Sequence, residues 1–272
     1  MEIIEKTDRW RGKFDEWKGK YGRDLVRGEI DTDYPFVVNN HAALVPVRRA
    51  LPLLNLALVT SAGAYLDGME SFDTTARGGD MTMREIPTEI DAEDLLYSAR
   101  GYDATAVRQD MDTQIPLARL AEFSANGIIG SLSPVFFSFC GFIPDAATFA
   151  EQALPRLVER VWRYEVQAAL LIPASRLCHQ SVALAARALE ASGVPTIMLA
   201  VDERDVLDAV RPPRAVYHQG ELGSVVGAPG FKEYQRRVLD EALRSMESWD
   251  NPGVRKLSVK LESAVEAERG ER

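Results

Sequence analysis

Residues 168–200, AALLIPASRLCHQSVALAARALEASGVPTIMLA, constrain the fold more than any other stretch of the chain. Ala168–Ile172 is a short apolar run that stops at Pro173, the pattern of a buried strand. Ser175 is a candidate N-cap for the segment that follows. Val182, Ala185, Ala186 and Leu189 recur at i, i+3, i+4 and i+7, which predicts a helix with a buried stripe. Gly193 closes that helix, and Val194–Ala200 reads as a second buried strand. Strand, helix and strand in so few residues make a βαβ unit. Cys178 and His179 fall in the turn before the helix or in its first turn. Free N–H groups and the helix dipole there favour a thiolate, which predicts a thiol pKa below the ordinary value of about 8.5. A free cysteine is equally at home as a small buried hydrophobe, and a histidine as a cap or packing group.

Elsewhere the apolar runs alternate with helical periods. Asn55–Thr60 is a candidate buried strand that runs into Ser61-Ala62-Gly63-Ala64, small residues that let a backbone or a ligand come close. Leu117, Leu120 and Ala121 give an apolar stripe to a helix from Pro116 to Ala125, with Gly127 beyond its end. Ile128–Leu132 and Val135–Phe139 read as short strands. A helix over Ala146–Tyr164 is interrupted at Pro155. Arg214–His218 reads as a further strand, and Phe231–Met246 as a helix. The pattern predicts an α/β fold, with an open and largely parallel sheet and helices on both faces. Ligands in such sheets sit beyond the carboxyl ends of the strands, which brings Ser61–Gly63, Ser175–His179 and His218 to one edge.

The flanking regions differ. Residues 1–50 read as an N-terminal arm and an irregular segment. Trp10, Phe14 and Trp17 at helical spacing face the domain itself or a partner subunit, and His41 lies in the proline-rich part. Residues 51–250 form the α/β domain. Within it, residues 67–112 hold twelve Asp/Glu against four Arg, a net −8, and read as an acidic insertion outside the central sheet. Residues 251–272 read as a polar tail. A net charge of −9 argues against nucleic acid and anionic membranes as partners. No apolar run reaches the roughly 18 residues of a membrane span, and the N-terminus lacks the apolar core of a signal peptide. With only Cys140 and Cys178 there is no disulfide framework, so a cytoplasmic protein with reduced thiols is expected.

Six segments, in order, carry a family resemblance: LALVTSAGAYLDG with Phe72-Asp73, GGDMTMREIP, GYDATAVRQDMDTQIPLARL, ANGIIGSLSPVFFSFCGFIPD, LLIPASRLCHQSVALAARALEASGVPTIML and PPRAVYHQGELGSVVGAPGFKEYQ. Together, across about 55–245, the chain resembles the selenoprotein B family, the substrate-activating subunits of glycine, sarcosine, betaine and D-proline reductases. The resemblance implies attack by a selenocysteine or cysteine on carbon, with reductive cleavage of a C–N bond and electrons from thiols. Cys178 stands where the reactive chalcogen of that family lies. This chain has no selenocysteine, and Ser175-x-x-Cys178 replaces the pair of redox groups often seen there. A pyruvoyl-bearing partner chain, also implied by the resemblance, is not part of this sequence.

Three readings follow. The first is an oxidoreductase with Cys178 as nucleophile and His179 or His218 as acid/base. Its small amino-acid-like substrate is bound by Ser61, Gly63, Asp80, Arg84, Asp110 and Ser175, with Arg84 as a carboxylate clamp. An external thiol or a thioredoxin-like donor supplies electrons, and a partner subunit or a homo-oligomer is expected. The second is a protein dependent on a divalent metal, with His41, Asp112 and Cys178 as candidate ligands, although Asp112 could simply cap the helix near Pro116. The third is a non-catalytic subunit of a larger complex.

Overall fold

A computed structural model describes residues 2–21 and 33–260. Helix α1 (Thr7–Tyr21) comes first, followed by strands β1 (Asn55–Thr60) and β2 (Ala64–Leu66). The acidic stretch carries β3 (Arg84–Pro87), β4 (Leu95–Tyr97) and α2 (Thr105–Gln109). Helix α3 (Leu117–Ala125) leads into β5 (Ser131–Leu132) and β6 (Val135–Ser138). The next helical run opens as α4 (Ala146–Thr148), widens into a π-turn at Phe149–Ala153 and continues as α5 (Leu154–Arg163). Pro155 marks that restart, since it offers no N–H to a continuous ladder. Then come β7 (Ala168–Ile172), α6 (Arg176–Ala191), β8 (Thr196–Val201), α7 (Arg204–Val210), β9 (Arg214–His218), α8 (Lys232–Glu247) and β10 (Gly253–Lys256).

The strands form one sheet in the order β10-β9-β8-β7-β1-β6-β3, with β5 also on β1. Every pairing is parallel except that of β3 with β6. Both faces are covered, which is why the central strands read as continuous apolar runs. Side chains alternate between the two cores as the pleat demands. Ala57, Val59, Ala169, Leu171, Met198 and Ala200 face the core shared with α1, α5 and α6. Leu56, Leu58, Leu170, Ile172, Ile197 and Leu199 face the core shared with α3 and α8.

Three segments depart from the sequence reading. Part of the acidic stretch does join the sheet: β3 forms its antiparallel edge, where Pro87 and charged neighbours are tolerated because only one side is paired. β2 and β4 pair only with each other, in a small antiparallel ribbon. At the other edge, β10 is supplied by the segment expected to be a polar tail, and its exposed Arg255 and Lys256 suit an edge strand. The arm packs on its own domain. Trp10, Phe14 and Trp17 are buried in the α1 core, with the Trp10 and Phe14 rings stacked at 5.0 Å. The frayed end expected at Glu262–Arg272 lies outside the described residues. No described helix is long and apolar enough to cross a membrane.

Candidate functional site

Because β1, β6 and β7 run parallel, their carboxyl ends meet at one edge, and Ser61 ties them together. Its N–H donates to the Ile172 carbonyl (3.2 Å), its hydroxyl accepts from the Ala174 N–H (2.9 Å) and its carbonyl accepts from the Gly141 N–H (3.1 Å). Ser175 is the N-cap of α6, its hydroxyl accepting from the Cys178 N–H at 3.2 Å. The same hydroxyl donates to the Cys178 sulfur at 3.0 Å, and that thiol reaches the Ser61 carbonyl at 4.0 Å. Gly141 is a steric necessity. A Cβ there would lie 2.3 Å from the Ser61 Cβ and 2.9 Å from the Cys178 sulfur. The preceding residue, Cys140, faces Ala62 in an isolated antiparallel bridge.

The segment from Ser98 to Tyr102 covers this edge. Its Ser98 N–H donates to the Gly63 carbonyl (2.9 Å), and the Ser98 carbonyl accepts from the Cys140 thiol (3.5 Å). Gly63 holds φ +66°, and a Cβ there would meet the Ser98 oxygen at 2.7 Å. The small residues after β1 therefore do admit a close approach, by backbone. Arg100 stacks over Phe142 at 4.4 Å. The Tyr102 hydroxyl donates to the Ala62 carbonyl at 2.6 Å. Beneath this cover Cys178 is 0% exposed and Cys140 3%.

Burial dominates the electrostatics. The helix N-terminus and the serine hydroxyl favour a Cys178 thiolate, but desolvation outweighs them and raises the pKa, opposite to the sequence expectation. Burial pushes Cys140 up to about 12, with the nearby Cys178 adding to the effect. His179 is pushed down to about 4 by burial, so at neutral pH it adds no positive charge beside the thiol. Its Nδ1 lies 2.7 Å from the Ser175 carbonyl. Tyr102 is raised by burial, with both cysteines adding to the effect.

The D-proline reductase subunit gamma of Acetoanaerobium sticklandii is 30% identical to this chain over 201 residues, 74% of this chain and 81% of that subunit. The chain belongs to the glycine, sarcosine and D-proline reductase subunit family. A sarcosine reductase complex component B subunit beta from Peptoclostridium acidaminophilum is 26% identical over 82% of this reductase-family chain. A glycine reductase complex component B subunit gamma from Symbiobacterium thermophilum is 25% identical over 81%. The matches cover 52% and 53% of those two subunits, so the chain spans about half the length of its component B relatives. No family model and no solved structure matches it.

None of the other residues singled out in this reductase-family chain hydrogen-bonds a thiol, although the Asp80 charge adds to the rise of Cys140. His218 reaches the same edge, but β8 separates its strand from β7, a spacing of about 10 Å. Its ring is held by the Tyr234 hydroxyl (2.9 Å) and the Val225 carbonyl (2.7 Å), and burial lowers its pKa, as for a packed core histidine. Asp80 caps a turn through Thr82 and accepts from the Asp73 N–H (2.8 Å). Arg84 lies over Phe72 and donates to the Thr82 hydroxyl and the Glu70 carbonyl. Asp110 ties the loop before α8, accepting from the Gly230 N–H and the Gln235 amide. Asp112 caps α3 through the Ala118 and Arg119 N–H groups, and burial raises it to about 6. His41 sits on the surface beside Glu5. His41, Asp112 and Cys178 thus have separate partners, and no group of three or more His, Cys, Asp or Glu that could hold a metal occurs among the described residues. The residues missed are Ser98, Arg100, Tyr102 and Gly141. Of these Tyr102 and Gly141 stand inside the family segments GYDATAVRQDMDTQIPLARL and ANGIIGSLSPVFFSFCGFIPD.

Proposed function

We propose that the chain is the substrate-activating subunit of a thiol-dependent reductase that cleaves a C–N bond, or a similar C–heteroatom bond, of a small amino-acid-like substrate through Cys178. The observation that carries this reading is the Cys178 sulfur at the first turn of α6, hydrogen-bonded by Ser175 and facing the end of β1. Opening the cover readmits water and removes the desolvation penalty, so that the helix N-terminus can stabilise the thiolate. The thiolate attacks the carbon bearing nitrogen; a C–S bond forms, the C–N bond breaks and nitrogen leaves with a proton. A second thiol attacks the Cys178 sulfur, and the carbon departs to take up a proton. The sum is two thiols and the C–N bond in, and a C–H bond, an amine and one disulfide out. An external dithiol or a thioredoxin-like donor restores the thiols. Relatives named as subunits and complex components support a partner subunit here.

The test is turnover of a panel of small amino acids and N-alkylated amino acids with dithiothreitol, with the chain alone and mixed with a partner subunit from a relative's complex. Released or ring-opened amine is followed by mass spectrometry. Cys178→Ser is expected to abolish product while leaving the melting temperature within a few degrees. Equal turnover by that variant, or none by the wild type in either mixture, overturns the reading.

A further inference from the structure

The chain holds two cysteines, 38 positions apart, and the fold delivers both to one sheet edge under one cover. Their surroundings interlock. The Ser61 carbonyl accepts from the Cys178 thiol and from the Gly141 N–H, while the next residue, Ala62, bridges to Cys140. The Cβ position on Gly141 lies 2.9 Å from the Cys178 sulfur. Adding the Cα–Cβ bond of about 1.5 Å and one Cα–Cα step of about 3.8 Å puts the Cα of Cys140 at most roughly 8 Å from that sulfur. The Ser175 hydroxyl touches the same sulfur at 3.0 Å, yet an oxygen cannot close a disulfide.

We propose that Cys140 is the second thiol of a two-electron couple with Cys178. This deepens the proposed function and takes its substrate step from that reading. Once the C–N bond has broken, Cys178 carries the substrate carbon as a thioether. The Cys140 thiolate attacks the Cys178 sulfur; an S–S bond forms and the S–C bond breaks. The electron pair leaves on carbon and is quenched by a proton. That departure requires a stabilised carbanion, which the small amino-acid-like substrate of the proposed reaction supplies as an enolate when its C–N carbon is alpha to a carbonyl. The couple is then reduced by a thiol donor, which is itself oxidised to a disulfide.

The couple can be tested apart from turnover. The full chain is equilibrated with mixtures of oxidised and reduced dithiothreitol until constant, quenched with acid and alkylated, and its mass and its non-reduced peptides are read. The expected result is a reversible loss of two hydrogens, with a single cross-linked peptide pair joining the segments of Cys140 and Cys178. Cys140→Ala and Cys178→Ala should each lose that species, and Cys140→Ala should accumulate the substrate thioether on Cys178 when external thiol is withheld. A dithiol that persists at an oxidising ratio, over a period in which iodoacetamide labels Cys178, overturns the couple. So do disulfides found only between chains. If the couple forms but Cys178→Ser retains turnover, the functional reading fails and the couple stands. If Cys178→Ser loses turnover and no couple forms, the reverse holds.

Discussion

At the scale of single residues, the two thiols are held neutral by the same burial that positions them. A pKa of about 12 leaves Cys140 with roughly one thiolate in 10^5 at pH 7. Native protein at neutral pH should therefore resist iodoacetamide at both cysteines, with labelling rising steeply in alkali or denaturant. Mass-spectrometric mapping of adducts across pH checks this, and fast labelling of Cys178 at pH 7 would contradict it. Linkage gives the accompanying sign. Because the folded Cys140 value lies above the ordinary thiol range, its stabilising contribution is full below about pH 8.5 and is lost as pH rises toward about 12. The position of Cys178 was legible from the strand, the N-cap and the helical period. Its charge state was not, because desolvation depends on Ser98–Tyr102, a segment some eighty residues earlier. In the same way Ser175 announced its capping role, whereas the hydroxyl of Tyr102 gave no signal that it would reach back to Ala62.

Among the elements, α6 does more than one predicted stripe suggests. Its inner stripe was visible in Val182, Ala185, Ala186 and Leu189, but every other residue from Leu177 to Glu190 is buried too. The outer face is closed by parts of the chain whose approach no local pattern reveals. Gln180 accepts from the Val37 N–H (2.8 Å), and Arg187 donates to the carbonyls of Ile3, His41 and Arg211. Arg187 thus fastens the N-terminal arm to the domain through main-chain oxygens. Replacing it in Arg187→Met leaves these acceptors unpaired, at about 1–3 kcal/mol for each one that stays buried. The expected outcome is a lower melting temperature together with faster proteolysis near the start of the chain, read by timed trypsin digestion. The edge strands β3 and β10 were hidden for a different reason. With a partner on one side only, they need little apolar character, so REIP and GVRK look like loop.

For the whole molecule, a sheet covered on both faces leaves its buried polar groups dependent on one another. Glu190 and Arg214 are fully buried partners, and the carboxylate also accepts from the Thr196 N–H (2.7 Å). Breaking such a pair costs more than forming it contributes, about 3–5 kcal/mol. Two buried histidines make the fold sensitive to acid. The folded His179 value lies near 4 against an ordinary 6.5, and His218 is lowered as well. The His179 contribution is complete above pH 6.5 and is lost as pH falls to about 4, with a slope of up to about 1.4 kcal/mol per pH unit, and that of His218 is lost in the same direction. Urea unfolding at pH 7, 6, 5 and 4 should show this loss, flattened in His179→Gln; equal slopes in the two proteins would remove His179 as its source. The alternation of apolar runs and helical periods announced this architecture because it lies in the covered centre of the sheet. The lid over the sulfurs was illegible, since an acidic stretch advertises solvent and conceals the few residues it turns inward.

That lid also bears on what the molecule does when idle. Thiols open to solvent drain their electrons into dioxygen and peroxide. Here the main-chain pairing of Ser98 with Gly63 and the bond from Tyr102 to Ala62 stand between the sulfurs and any passing oxidant. On the proposed reading, a resting chain would therefore keep its electrons, and would exchange them only while the cover is displaced.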